Sequence, residues 1–293
     1  MTAVVVTIMV VLYSFQSLFC KLFSQHYQSE DASLTSTIFS ICYGVFAGVV
    51  TLLIARLHVA PSGYTWLFGG LNAVMLLLYN MSMIQASRTG SYSFQMISSL
   101  FGGILVPMLW GVVFGGKAFT AIQLVAIVMM LASFVLMNLK GLSLKGNAKT
   151  FYFWCATLFL SNGMYSVFLN QQTTVMAGGE RNEMIIITFL GMAVLYVLLQ
   201  FARDPSALKT GFKMSKKALI FLLICCASAS AAVHLVLYVL TLFENETILF
   251  TIDNGGVLLL SVLYSLVLFH EKPTLPQIAG MALAGASIVM LSL

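Results

Sequence analysis

Charge is what this sequence has least of: Asp, Glu, Lys and Arg make up 8% of its 293 residues, while 60% are hydrophobic. So little charge cannot solvate a soluble surface, and so much apolar area exceeds what one soluble core absorbs. The composition therefore excludes a water-soluble domain, and the lack of a basic face excludes a nucleic-acid footprint. Alternating apolar and polar segments of about ten residues are missing too, which excludes a transmembrane β-barrel. The five cysteines, Cys20, Cys42, Cys155, Cys225 and Cys226, lie inside apolar stretches without metal-ligand spacing. They read as packing residues, and no metal or other cofactor is expected. Neither HExxH nor GxSxG occurs, and no apolar segment carries paired carboxylates, so enzymatic chemistry has no motif to stand on. The opening MTAVVVTIMVV lacks the basic start and small-residue cleavage site of a secretory signal and is expected to be a retained span.

What is present is long apolar sequence, with a mean hydropathy of +0.99. A helix needs ~20 mostly apolar residues to cross a bilayer, and ten such segments can be placed. They run from Ala3 to Gln25, Leu34 to Ala55, Thr65 to Gln85, Tyr92 to Gly115, Ile122 to Leu139, Phe151 to Val175, Met184 to Phe201, Ala218 to Leu242, Thr247 to Phe269 and Leu275 to Leu293. The two longest connectors, Lys140 to Thr150 and Ala202 to Lys217, are too short for a soluble domain. The expected class is an all-α integral membrane protein of a cell membrane, bacterial inner or plasma.

The stretch from Gly102 to Val135 returns from Gly256 to Val289 at a constant offset (277 − 123 = 154), without a gap. Leu105, Thr120, Gln123, Ala132 and Ser133 meet Leu259, Thr274, Gln277, Ala286 and Ser287. A looser echo pairs Ser14 and Gln25 with Ser161 and Gln172 at an offset of 147 (161 − 14). The chain thus divides into residues 1–145 and 146–293, each a five-helix unit. Five is odd, so the second unit must enter the membrane from the opposite face. The reading is ten transmembrane helices as two inverted five-helix repeats, an architecture by which secondary carriers build two gates around one midplane site.

The ten-span plan and the ending LVLFHEKPTLPQIAGMALAGASIVML resemble the EamA-type branch of the drug/metabolite transporter superfamily. In that family each half closes with a Glu before its last helix, then Thr or Ser, Gln and a Gly-containing span. Glu271, Thr274, Gln277 and Gly280 fit this pattern; the first half keeps Thr120 and Gln123 but has Lys117 in place of the Glu. The resemblance implies a transporter and names no substrate.

Orientation divides the indicators. Most Lys and Arg, including Arg88, Lys140, Lys145, Lys149, Arg203, Lys209, Lys216 and Lys217, fall on the side of the odd-numbered loops; the other side has Arg56, Lys117 and Arg181. By the positive-inside rule the odd loops are cytoplasmic and both termini outside. The family resemblance implies the reverse.

Polar groups inside apolar spans carry the functional reading, because an ionisable group at a helix centre costs about 2.5 to 3.5 kcal/mol to insert. Lys21 shares a stripe with Ser14, Ser17 and Gln25; its long stem is expected to snorkel to the interface near Glu30 and Asp31. His234 lies on a face with Ser230, Tyr238 and Thr241, and Asp253 stands beside Asn254. At offset 154 these two correspond to Asn80 and Ser99 (234 − 80), so one half has titratable groups where the other has neutral ones. A structural helix contact reads equally well for each. The substrate-contacting set drawn from these patterns is Asn80, Gln95, Ser99, Asn162, Tyr165, His234, Tyr238, Asp253 and Asn254, with Gln16, Asn72, Tyr79, Ser166 and Asn170 as further lining. The expected activity is secondary transport of a small organic metabolite by alternating access, with His234 and Asp253 coupling it to protons. The alternatives are a membrane-embedded scaffold or enzyme. Expected partners are the small-molecule substrate, the lipid bilayer and a second copy in a homodimer, with no nucleic acid.

Overall fold

The computed structural model describes residues 2–27, 31–115, 120–138, 147–240, 246–270 and 272–291. Glu30, Lys117, Lys140, Lys145, Thr241 and Glu271 lie outside the described residues, and with them the family's glutamate and its Lys counterpart.

Eleven helices make up the described chain, which contains no strand. They are α1 (Thr2–His26), α2 (Ala32–Ile54), α3 (Gly63–Thr89), α4 (Tyr92–Gly115), α5 (Ala121–Asn138), α6 (Asn147–Val175), α7 (Arg181–Arg203), α8 (Pro205–Gly211), α9 (Lys216–Leu240), α10 (Glu246–Val267) and α11 (Leu275–Leu291). Among the described residues six, in α1, α2, α3, α4, α7 and α9, are long and apolar enough to cross a membrane. Their caps explain where they start. Asp31 accepts from the Ser33 amide at 2.7 Å before α2, and Ser62 Oγ accepts from the Thr65 amide at 3.3 Å before α3. The repeated Thr/Gln pair has the same role twice. Gln123 Oε1 accepts from the Thr120 amide at 3.1 Å while Thr120 Oγ1 accepts from the Gln123 amide, and Gln277 Oε1 accepts from the Thr274 amide at 2.8 Å. The reciprocal cap starts α5, and the Thr274 to Gln277 bonds start α11.

Burial runs opposite to that of a soluble protein. Large apolar side chains such as Leu53, Trp66, Val113, Phe153 and Leu259 point outward, while Asn72, Asn80, Gln95 and Gln172 are buried. Such an exterior suits hydrocarbon, where polar groups must find partners inside the bundle. The molecule has the build of a multi-pass membrane protein.

Helices α1 and α3 run in one direction and α2 runs against them, as side-chain bonds at their ends show. At one end Ser24 of α1 meets Ser87 of α3 at 2.9 Å, Arg88 Nη2 donates to Thr35 Oγ1 of α2 at 2.7 Å, and Tyr27 donates to the Gly211 carbonyl at 2.6 Å. Arg203, Lys209, Lys216 and Lys217 gather there as well, so it is called the basic end. At the other, terminal end Glu180 before α7 bonds Ser62 before α3. The tightest packing is α1 on α9, α3 on α6, α4 on α6, α2 on α7, and α5 on α11. The α4–α6 crossing depends on missing side chains: a Cβ on Gly102 would stand 2.0 Å from the Phe159 carbonyl oxygen, and one on Gly163 2.3 Å from Val106 Cβ. Where α10 crosses α1, a Cβ on Gly256 would stand 2.6 Å from Val10 Cγ1.

Candidate functional site: a polar cavity between the helices

The eight helices other than α5, α8 and α11 enclose a cavity of about 130 Å³ at mid-depth. Each contributes one helical face. Tyr13, Gln16 and Ser17 come from α1, at the i, i+3, i+4 spacing that puts them on one side. Asn162, Tyr165 and Ser166 repeat that spacing on α6. Ser99, Leu100 and Gly103 of α4 face Asp253, Asn254 and Val257 of α10. Tyr43 of α2 and Phe189 of α7 pack edge to face with ring centroids 5.1 Å apart, and Tyr79 of α3 and Val233 of α9 complete the wall.

Hydrogen bonds hold much of this lining. Asn162 Nδ2 donates to the Ser99 carbonyl at 2.8 Å, Ser166 Oγ to the Asn162 carbonyl at 3.1 Å, and Gln16 Nε2 to Tyr43 Oη at 3.4 Å. Asp253, seven residues or roughly 10 Å into α10, is different: its Oδ1 is shielded and has no hydrogen-bond partner among the described residues. The cavity can therefore offer a solute aromatic walls, neutral donors and acceptors, and one carboxylate.

Of the residues singled out from sequence, Ser99, Asn162, Tyr165, Asp253 and Asn254 line this cavity, as do Gln16, Tyr79 and Ser166. The other six do not line it: Asn72 is fully buried in α3, Asn170 is exposed on α6, and four turn elsewhere. His234 Nε2 lies 3.1 Å from Thr51 Oγ1 of α2, and Tyr238, one turn on, is 45% exposed on the outside. The cavity face of α9 is Ala229, Val233 and Val236, one residue out of phase with the Ser230/His234/Tyr238 stripe, so the polar stripe meets α2 instead. Asn80 Nδ2 donates to Met192 Sδ of α7 at 3.1 Å, and Gln95 Nε2 to the Met83 carbonyl of α3 at 2.9 Å. His234 and Asp253 thus share no site. Tyr13 and Tyr43 were not singled out. Tyr13 had a signal, standing four residues before Ser17 on the polar stripe of the first span; nothing in the sequence distinguished Tyr43.

Lys21 does not snorkel. Only 5% of it is exposed, and its Nζ lies 3.9 Å from the centre of the Phe269 ring and 4.7 Å from that of Tyr92. The helix runs on to His26, leaving Lys21 more than a turn inside, and the start of α4 and the segment after α10 close over it. A cation over two aromatic faces is an attractive contact, and it joins α1 to the start of α4 and the segment after α10 at the basic end.

At the terminal end Glu180 ties α7 to α3. Its Oε2 accepts from the Ser62 amide and hydroxyl, both at 2.9 Å, and Gln172 Nε2 reaches Thr65 Oγ1 at 3.1 Å. Hydrogen bonding by Thr65, and then by Ser62, holds the Glu180 carboxyl below its usual value. The residue keeps this position in the left-handed region, at φ 53° and ψ 31°.

No family model matches the chain, and no curated protein matches it. A solved structure described as "Crystal structure of protein" superposes with a TM-score of 0.66, covering 99% of this chain and 95% of its own, at 15% identity. At that identity the likeness establishes the fold alone.

Proposed function

We propose that this chain is a secondary transporter of a small organic metabolite, working by alternating access between two inverted five-helix halves in a bacterial inner or plasma membrane. The observation that carries the reading is the central cavity, lined from α1 to α4 and from α6, α7, α9 and α10, and holding a carboxylate with an oxygen unpartnered among the described residues. In this reading α1 to α5 (within 1–145) and α6, α7, α9, α10 and α11 (within 146–293) are the ten spans, and α8 is part of a connector. The register of the lining supports it. Ser99, Leu100 and Gly103 match Asp253, Asn254 and Val257 at the sequence offset (253 − 99 = 154). Tyr13, Gln16 and Ser17 match Asn162, Tyr165 and Ser166 (162 − 13 = 149). The glycine crossings obey the same two offsets, since Gly102 on Phe159 corresponds to Gly256 on Val10 (159 − 10 = 149). The lining thus adds an offset of 149 between α1 and α6 beside the looser sequence echo at 147. Even the residues outside the cavity agree: Asn80 contacts α7 and its counterpart His234 contacts α2, the equivalent helix of the other half.

A carrier needs a site that both gates can reach, and this cavity lies between the Lys21 ring contact at the basic end and the Glu180 tie at the terminal end. Asp253 is the group through which a proton gradient would couple to transport, because the α4 counterpart, Ser99, cannot carry charge. The test is reconstitution into liposomes preloaded with a defined mixture of small metabolites, with mass spectrometry of the retained contents. At least one organic solute should leave faster than from protein-free liposomes, with an imposed pH gradient changing its rate. If nothing in the mixture leaves faster, the transporter reading fails.

A further inference from the structure

Resting on the transporter reading, we propose that the central cavity selects a compact organic monocation, an ammonium group on an aromatic or similarly flat apolar body. Asp253 takes the charge and the surrounding rings take the body.

Three observations converge on this class. The first is charge. Among the described residues lining the cavity there is no Lys, Arg or His, and Asp253 is the only acid. Its Oδ1 is hidden from solvent without a partner among the described residues, and a carboxylate placed there is costly unless a cation or proton accompanies it. The basic groups of neighbouring elements do not supply one. His234 is turned to Thr51, and Lys21 stands eight residues beyond Tyr13, roughly 12 Å along α1, over the Tyr92 and Phe269 rings. The second is the wall. Tyr13, Tyr43, Tyr79, Tyr165 and Phe189 ring the space, and aromatic faces carry the negative potential that attracts ammonium groups. The third is size: about 130 Å³ is well below the roughly 300 to 1,000 Å³ of sites for drug-sized ligands.

These features also argue against other solutes. A phosphate or carboxylate would meet Asp253 with repulsion and find no Lys or Arg to bind it. A neutral polyol would leave the carboxylate uncompensated, and a bare metal ion would leave the aromatic and aliphatic walls without a partner.

The test uses the full chain in lipid nanodiscs, with tritiated 2-phenylethylamine as the probe and unlabelled 2-phenylethylamine, 2-phenylethanol and 3-phenylpropionate as competitors. The three share a ring and arm and differ in charge. The amine should bind saturably and compete at least about tenfold better than the alcohol, with the acid weaker still. Asp253→Asn should lose about tenfold or more in affinity. Tyr165→Phe, which keeps the ring, should bind like the unmodified protein, while Tyr165→Leu should bind several-fold more weakly. The competitor series on the unmodified protein decides the question even if a variant fails to fold. Equal competition by the alcohol, preference for the acid, displacement by sodium ions alone, or no saturable amine binding overturns the proposal. Flux of a neutral or anionic metabolite without amine binding would remove this inference and leave the transporter reading standing; amine binding without flux of any solute would do the opposite.

Discussion

Glu180 occupies a backbone conformation that a residue with a Cβ adopts at a cost, and the hydrogen bonds its carboxylate receives from Thr65 and Ser62 are what hold it there. Those bonds favour the charged form, so its pKa is depressed on folding. A depressed carboxylate contributes stability that is present above its unfolded value and lost as the pH falls through the folded one. The window therefore opens just below the ordinary value of 4.5 and extends downward. Thermal midpoints measured in detergent from about pH 7 down to about pH 3 should fall more for the native protein than for Glu180→Gln, whose own midpoint should start lower at neutral pH. Parallel curves for the two proteins would mean that the tie contributes nothing to folding. At this scale the sequence was only partly legible. The apolar setting of Asp253 and Asn162 marked them as polar groups needing a reason, and both line the cavity. Lys21 sits deeper than its sequence position predicts because its depth depends on Tyr92 and Phe269, which are distant in sequence and meet it only in the folded bundle.

Single-helix periodicity reports a face but not what the face meets, and this explains most of what the helices concealed. Ser230, His234 and Tyr238 do form one stripe of α9, yet that stripe packs toward α2 and the lipid side while Val233 and Val236 line the cavity. The helices themselves were legible, since apolar length sets them and the Thr120/Gln123 and Thr274/Gln277 caps start α5 and α11. α8 was not, because seven residues in a polar connector carry no apolar period. Between elements, the glycine crossings make a graded prediction. An alanine at Gly102 collides with backbone at 2.0 Å, one at Gly256 with a movable Val10 side chain at 2.6 Å, and one at Gly70 with nothing within 4 Å. Overpacking of this kind costs about 1 to 3 kcal/mol, and an open helical site gains a few tenths to about 1 from losing a glycine. Fluorescence-detected size-exclusion melts should therefore rank Gly102→Ala as least stable, Gly256→Ala between, and Gly70→Ala at or above the native protein. If Gly102→Ala melts with the native protein, the close α4–α6 approach is wrong.

Across the whole molecule the sign of charge is distributed unevenly between the two ends, and insertion responds to that distribution. Arg203, Lys209, Lys216 and Lys217 are all exposed at the basic end, whereas the terminal end offers Arg56 and Arg181. By the positive-inside rule we propose that the basic end faces the cytoplasm, so that α1 and α10 would begin at the outer surface. Asp253, roughly 10 Å into α10, would then be reached first from outside, with Lys21 on the inner side. The native cysteines are buried or half-buried and free, which makes a cysteine-free background a small structural change. On that background Arg56→Cys should react with a membrane-impermeant maleimide in intact cells, and Lys209→Cys only after the membrane is opened. The reverse labelling pattern would put the termini in the cytoplasm, as the family resemblance implies. Asp253 would then lie nearer the inner surface, and any proton or cation it accepts would enter from the cytoplasm, which is the geometry of an exporter loading its cargo.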